Sequence, residues 1–212
     1  MLRFDHIAIG CATLKQGAAY MAEQTGLTVP AGGEHPLMGT HNLVMTLGDD
    51  TFFEVIAINP SAPKPSRSRW FGLDATSFPT PRPLSWILNS DDLDTDLEIA
   101  KSLGVDLGVP TTQTRGDMSW RFAVRDDGAI PLDGAAPMMM EWPKSPTHPA
   151  ARMPDLGVRI KSVNLETPYA EILDNLLMKL GTGPMPVRIS KAPETRLTMT
   201  LSLNDGREVV LH

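Results

Sequence analysis

Apolar runs along the chain fall into three similar sets. Each opens with a strand-like run, passes through a helix-like period and returns in further strand-like runs. The first set begins with Phe4-Asp5-His6-Ile7-Ala8-Ile9-Gly10. Thr13 is a fitting N-cap for a helix over residues 14–25, and Gly26 a fitting stop. A loop rich in Pro and Gly follows over residues 29–36, then an apolar run over 41–47. The turn Gly48-Asp49-Asp50 leads back into a run over 52–58, so these two runs read as an antiparallel hairpin.

The second set has a strand over 84–88, a helix capped by Asp91 or Asp92 and ended near Gly104, and strands over 120–124 and 138–142. The third has a strand over 158–165, then Thr167 as a cap with Pro168 at the first helical position. Its helix carries Ile172, Leu173, Leu176, Leu177 and Leu180 on one face and stops at Gly181. Strands over 186–190, 197–203 and 208–211 complete it, the last two joined by the turn Asn204-Asp205-Gly206. Three strand-helix-strand-strand units form an internal repeat without solenoid regularity. Curved sheets side by side, with helices outside and a concave interior, are the simplest packing.

Two polar residues interrupt this apolar pattern. Alternation along a strand puts His6 on the face of Phe4 and Ala8, with Asp5 on the opposite face. It puts Glu54 on the face of Phe52, Ile56 and Ile58. A carboxylate among apolar neighbours is costly unless it is paired, protonated or metal-bound, and His with Glu is a chemically sensible pair. The connection over residues 59–83 holds six prolines and the segment Arg69-Trp70-Phe71. Long ordered loops are often functional. Trp70 and Phe71 read either as a plug for the core or as the wall of a binding pocket.

Composition narrows the class. The 212 residues suffice for one large domain or two small intimate ones. Hydrophobic content of 42% and charged content of 21% are ordinary for a globular protein. A net charge of −6 disfavours a general nucleic-acid binder. No apolar run approaches the roughly 20 residues that span a bilayer, so no membrane partner is expected. The start lacks a basic region followed by an apolar segment, and the single Cys11 has no partner for an internal disulfide. A reducing cytoplasm is the expected compartment. A Gly-rich phosphate loop, a zinc Cys pair and a nucleophile elbow are all missing.

The layout and its residues resemble the glyoxalase-like domain family of the vicinal oxygen chelate superfamily. The residues that carry the resemblance are 4–14, His35-Pro36-Leu37-Met38-Gly39-Thr40-His41-Asn42, 52–58, and Arg69-Trp70-Phe71-Gly72-Leu73-Asp74. The match is good over the first 75 residues and weaker in the second unit. It rests on element order alone in the third. The resemblance implies an α+β fold: βαβββ modules pairing into a half-open mixed β-barrel with helices outside. Residues 1–145 would hold two paired modules, 1–58 and 84–142, and residues 146–212 a third unit packing on or extending them. It also implies a divalent metal (Zn, Ni, Mn or Fe) held by His6, Glu54 and Glu141. The fourth ligand position falls at Ser85 or Trp86, neither a normal ligand.

His41 is a candidate to move a proton alongside Glu54 and Glu141, or equally a loop histidine bonded to backbone. His35 is expected to be structural, and His148 more often a loop residue than part of the cavity rim. Trp70, Phe71, Trp86 and Met139 are candidate substrate walls. Arg115 is a candidate for holding an anionic substrate or, more simply, an exposed loop arginine. The first expectation for function is metal-assisted isomerase or lyase chemistry on a small oxygen-rich metabolite. The alternatives are a binding or sequestering protein lined by Trp70, Phe71, Trp86, Trp120 and Trp142, and an Fe(II) dioxygenase using His6, His41 and Glu54. A further reading makes the polar residues a hydrogen-bonded core network. A homodimer is a reasonable assembly.

Overall fold

The computed structural model describes residues 2–116, 118–144 and 147–212. The first unit comprises β1 (Arg3–Gly10), α1 (Leu14–Thr25), β2 (Ala31–His35), β3 (Thr40–Thr46) and β4 (Phe52–Ile58). The second comprises β5 (Arg82–Asn89), α2 (Leu93–Ser102), β6 (Val109–Arg115), β7 (Met118–Val124) and β8 (Met138–Glu141). The third comprises β9 (Arg159–Thr167), α3 (Ala170–Leu180), β10 (Val187–Lys191), β11 (Arg196–Ser202) and β12 (Glu208–Leu211).

The first two helices start and stop where their caps dictate. Thr13 Oγ1 accepts from the Gln16 N–H at 3.1 Å, and Gly26 takes the left-handed φ of 77° that ends α1. Asp92 Oδ1 accepts from the Thr95 N–H at 3.3 Å to open α2. The third helix starts later than its sequence suggests. Thr167 ends β9, Pro168 lies in a turn, and the Thr167 hydroxyl accepts from the Tyr169 N–H, so α3 begins at Ala170. Two strands, β2 and β6, have no counterpart in the apolar pattern. They are Ala-Gly-Gly-Glu-His and Val-Pro-Thr-Thr-Gln-Thr-Arg, and both lie at sheet edges where burial demands little.

The first two units join in one eight-stranded sheet of order β2-β3-β4-β1-β5-β8-β7-β6. The halves meet at the antiparallel pair β1–β5. The sheet curls into a half-open barrel until its edges β2 and β6 approach each other. At that approach a Cβ on Gly33 would stand 2.5 Å from Arg115 Cδ, so glycine makes room for the arginine. The convex face buries Ile7, Ile9, Phe53, Val55, Trp86 and Leu88 against the helices. The concave face buries Ala8, Ile56, Ile87, Phe122, Met138 and Met140, with Trp70 and Phe71 laid over them by the proline-rich connection. That connection is pinned by the Arg69–Asp74 ion pair at 2.6 Å and by the Gly72 N–H donating to the Gly128 carbonyl at 2.7 Å.

The third unit repeats the element order but not the strand order. Its own sheet runs β10-β9-β11-β12, with β10 beside β9 instead of at the far side of β11. Val163, Leu165, Met199 and Leu201, with Leu173 and Leu176 of α3, complete the convex-side core. Full burial of each such side chain contributes about 1.5–3 kcal/mol. The unit therefore backs the barrel from outside.

Candidate functional site

A bulge in the first strand makes the site. The β1–β5 register steps from Phe4↔Leu88 to His6↔Ile87, leaving Asp5 without a cross-strand partner. Phe4 therefore packs in the convex-side core, while Ala8 lies on the concave side. Such an extra residue re-aims the side chains beside it, and here Asp5 and His6 meet. His6 Nδ1 lies 2.5 Å from Asp5 Oδ1. The expectation that Asp5 faces away from His6 is corrected by this bulge.

Asp5 accepts from three donors. Besides His6, the Trp142 Nε1–H donates to Oδ2 at 2.8 Å and His148 Nε2 to the same oxygen at 2.9 Å. The tautomer of His148 follows from its other nitrogen, because Nδ1 accepts from the Ala150 N–H at 3.1 Å. On the far side of His6, Nε2 faces Glu54 Oε1 at 3.6 Å. Glu54 Oε2 accepts from Asn42 Nδ2 at 2.7 Å, and Asn42 Oδ1 accepts from the Gly33 N–H, which fixes the orientation of the amide. Phe52 stacks on the His6 ring with centroids 4.2 Å apart.

This is a charged array inside protein: His6 is 4% exposed, Glu54 5% and Asp5 not at all. Burial alone would strip the proton from His6, but the hydrogen bond to Asp5 and the charge of Glu54 outweigh it and lift its pKa to about 9. Burial would likewise raise Asp5, yet its hydrogen bonds with His148 and His6 hold it at about 2. Burial also opposes ionisation of Glu54, and protonated His6 with the Asn42 amide keeps it below the usual carboxylate range. His35, by contrast, is pushed down to about 4 by burial against the weaker pull of Glu54, so it stays neutral. Its Nδ1 lies 3.0 Å from Thr40 Oγ1.

His6 and Glu54 open onto a cavity of about 30 Å³, room for about a water molecule. His35, Trp70, Trp120, Phe122, Trp142 and Arg115 also line it. The Trp70 and Trp120 rings both stand edge-on to His35. Trp142 is shared with an outer groove of about 510 Å³, whose wall also includes His148 and Glu141.

A family model described as a glyoxalase-like domain matches residues 4–181. The chain belongs to the glyoxalase-like domain family. It lies within the vicinal oxygen chelate superfamily. Solved structures of the same fold include a hypothetical protein from Staphylococcus aureus, at 12% identity and TM-score 0.69, covering 99% of this chain and 98% of that one. A Mn(II)-bound glyoxalase from Novosphingobium aromaticivorans superposes with TM-score 0.52 at 12% identity, covering 92% of this chain and 63% of that one. A methylmalonyl-CoA epimerase from Mycobacterium tuberculosis matches at 19% identity and TM-score 0.43, covering 68% and 89%. No curated protein sequence matches significantly. Among the described residues, no helix is long and apolar enough to cross a membrane.

In this glyoxalase-like chain the ligand set His6, Glu54 and Glu141 is not brought together. Glu141 follows Met139, which packs on the convex side, and its carboxylate pairs with Arg121 Nη1 at 2.8 Å. Arg121 also holds Asp94 of α2. Among the described residues no three His, Cys, Asp or Glu side chains are placed to hold a metal ion. His6 Nδ1 is bonded to Asp5 and Glu54 Oε2 to Asn42, which leaves His6 Nε2 and Glu54 Oε1, 3.6 Å apart, as two donors only. The residues in place do not make a metal cage.

His41 does not join His6 and Glu54 either. On β3 it is Asn42 and Val44 that line the cavity, and His41 points to the other side. Burial lowers its pKa against the pull of Glu34. Of the expected walls, Trp70 lines the cavity. Phe71 packs behind it, 5.5 Å between centroids. Trp86 faces the convex core, where its Nε1–H donates to the Ala135 carbonyl at 3.0 Å. Met139, expected in the wall, lies in that core also, and it is its neighbour Met140 that lines the cavity. Arg115 stands in the wall and His148 lines the groove. Asp5 was expected on the opposite face, Asn42 was given no role, and His35 was read only as structural. The Gly32-Gly33 pair against Asn42 and Arg115 was the one sequence signal that backbone and side chains crowd together there.

Proposed function

We propose that this protein is a small-molecule enzyme of the isomerase or lyase type that moves a proton at a carbon next to oxygen in a small oxygen-rich metabolite. The observation that carries this reading is the Asp5–His6–Glu54 array at the floor of an aromatic-walled cavity. Adjacent groups whose pKa values are driven apart supply a base and an acid. Glu54 is held ionised and takes the proton from carbon. His6, held protonated, faces the oxygen on which negative charge develops and stabilises it. Asp5 fixes the ring of His6, and Asn42 fixes Glu54. Because the cavity as it stands holds about a water, a wall side chain moves to admit substrate, and Trp142 is the wall shared with the outer groove.

Deuterium wash-in from D₂O into candidate 2-oxo and 2-hydroxy compounds, followed by proton NMR, tests the reading. Exchange catalysed by the wild-type protein and lost in Glu54→Gln is expected. Equal exchange in both proteins would overturn it. The indole-rich lining favours a second reading, binding without turnover, in which ligands bind equally well to both proteins and no exchange occurs.

A further inference from the structure

One strong cation, Arg115, lines the cavity and among the described residues makes no ion pair. Arg115 is half-buried at the end of β6, with its guanidinium 5.9 Å from the Trp120 ring. Burial draws its pKa down against the pull of Glu54. Among the described residues no hydrogen bond is made by its guanidinium. Glu54, the carboxylate it senses, holds Asn42 at 2.7 Å and faces His6 Nε2 at 3.6 Å, and no ion pair joins it to Arg115 among the described residues. The Trp120 ring gives this guanidinium a cation–π contact but no hydrogen-bond acceptor, and a carboxylate would match its planar fork.

A second orphan lies in the same cavity. Trp70 is 3% exposed and lines the wall, and its buried Nε1–H has no partner. An indole N–H is a donor only, and buried ones normally find an acceptor. Gln113, two residues before Arg115 and on the same face of β6, likewise has a buried Nε2 without a partner. Trp70 Nε1 and Gln113 Nε2 are both donors. His6 and Glu54 line the same cavity.

We infer that Arg115 and the Trp70 indole N–H form a carboxylate subsite, and that the ligand is a small 2-oxo or 2-hydroxy acid. Its carboxylate would sit on Arg115, and its oxygen-bearing carbon would face His6 and Glu54. The inference rests on the proposed function for the second half of that orientation alone. The carboxylate subsite itself is a claim about binding.

The test is calorimetric titration of the full chain with pyruvate and lactate, and with pyruvamide and lactamide, which keep the shape and lose the charge. The acids are expected to bind and the amides to bind about ten- to a hundredfold more weakly, the range of a charge-assisted hydrogen bond. Arg115→Gln should erase the preference for acid over amide. Arg115→Lys should keep part of it, and Trp70→Phe, which removes only the N–H donor and one ring, should weaken the acids several-fold. Thermal melts establish that each variant is folded. If one arginine variant fails to fold, the acid–amide ratio in the other and in Trp70→Phe decides. Equal binding of acids and amides, no binding of either acid, or a preference that survives Arg115→Gln would overturn the subsite. The same titrations in Glu54→Gln separate the two claims. Arginine-dependent acid binding without deuterium exchange in the wild type leaves the subsite standing and removes the proposed chemistry.

Discussion

The two halves of the barrel share a topology and divide the labour. In the first, a bulge and two inward positions bring Asp5, His6, Asn42 and Glu54 into one buried array. In the second, the inward positions are Ile87, Phe122, Met138 and Met140, and the charge is a single arginine at the rim. Each half carries a glutamate on its last strand, yet Glu54 sits with inward Phe52 and Ile56 while Glu141 sits with outward Met139. One step of strand parity separates a carboxylate facing the cavity from one tied to Arg121. A polar residue on a repeated strand thus has no meaning until its face is known.

The largest effect expected from breaking this asymmetry is on turnover. Glu54→Gln should lower catalysed deuterium exchange by about 10²–10⁴-fold, the usual contribution of a positioned base. Glu141→Gln should leave it within about twofold, since a part-exposed ion pair contributes at most about 1 kcal/mol to stability. A comparable loss in both variants would erase the distinction between the halves.

Stability should show the same contrast. Asp5→Asn removes the counter-charge of a buried imidazolium and turns an amide NH2 either against the His6 Nδ1–H or against the Trp142 and His148 donors that share the other oxygen. Uncoupling one member of a buried charged pair costs about 3–5 kcal/mol, which denaturant unfolding measures directly. A loss under about 1 kcal/mol would mean that the array carries little charge in the folded protein.

The pH dependence carries the sign of each member. His6 has its pKa raised from 6.5 to about 9, so its contribution to stability is complete below pH 6.5 and is lost as pH rises through about 9. Asp5 contributes above its unfolded value of 3.8, and that contribution is lost as pH falls toward about 2. His35 resists protonation, so stability also declines as pH drops from 6.5 toward about 4. Melting curves of the wild type and His6→Gln should therefore converge as the pH climbs past 9. Parallel curves from pH 6 to 10 would show that His6 is not protonated in the fold.

Much of the framework was written in local signals. Thr13, Gly26, Asp92 and Gly181 mark helix ends because capping chemistry is local, and the apolar runs of β1, β4, β5 and β8 are buried on both faces. The inward direction of Glu54 could be read from its neighbours. The role of Asp5 could not, because a bulge is defined by register against β5, some 80 residues away. The parity of His41 against Asn42 needed the pairing of β3 with β4 for the same reason. Edge strands β2 and β6 lack an apolar code since neither buries two faces. The strand order of the third unit is likewise a tertiary choice that its repeat-like element order does not encode.

The smallest expected effect tests where the two halves touch. Gly33 on β2 lies against the Arg115 stem, and an added methyl group would sit 2.5 Å from Cδ. The obstruction is a flexible side chain, so Gly33→Ala should cost little stability, and extended backbone there accepts alanine. It should instead push the guanidinium away from the cavity and weaken lactate binding several-fold without altering the pH profile of His6. A stretch that reads as a Gly-rich loop would then be the seam along which the second half delivers its charge to the first. Lactate binding unchanged in a folded Gly33→Ala protein would show that Arg115 reaches the cavity independently of that seam.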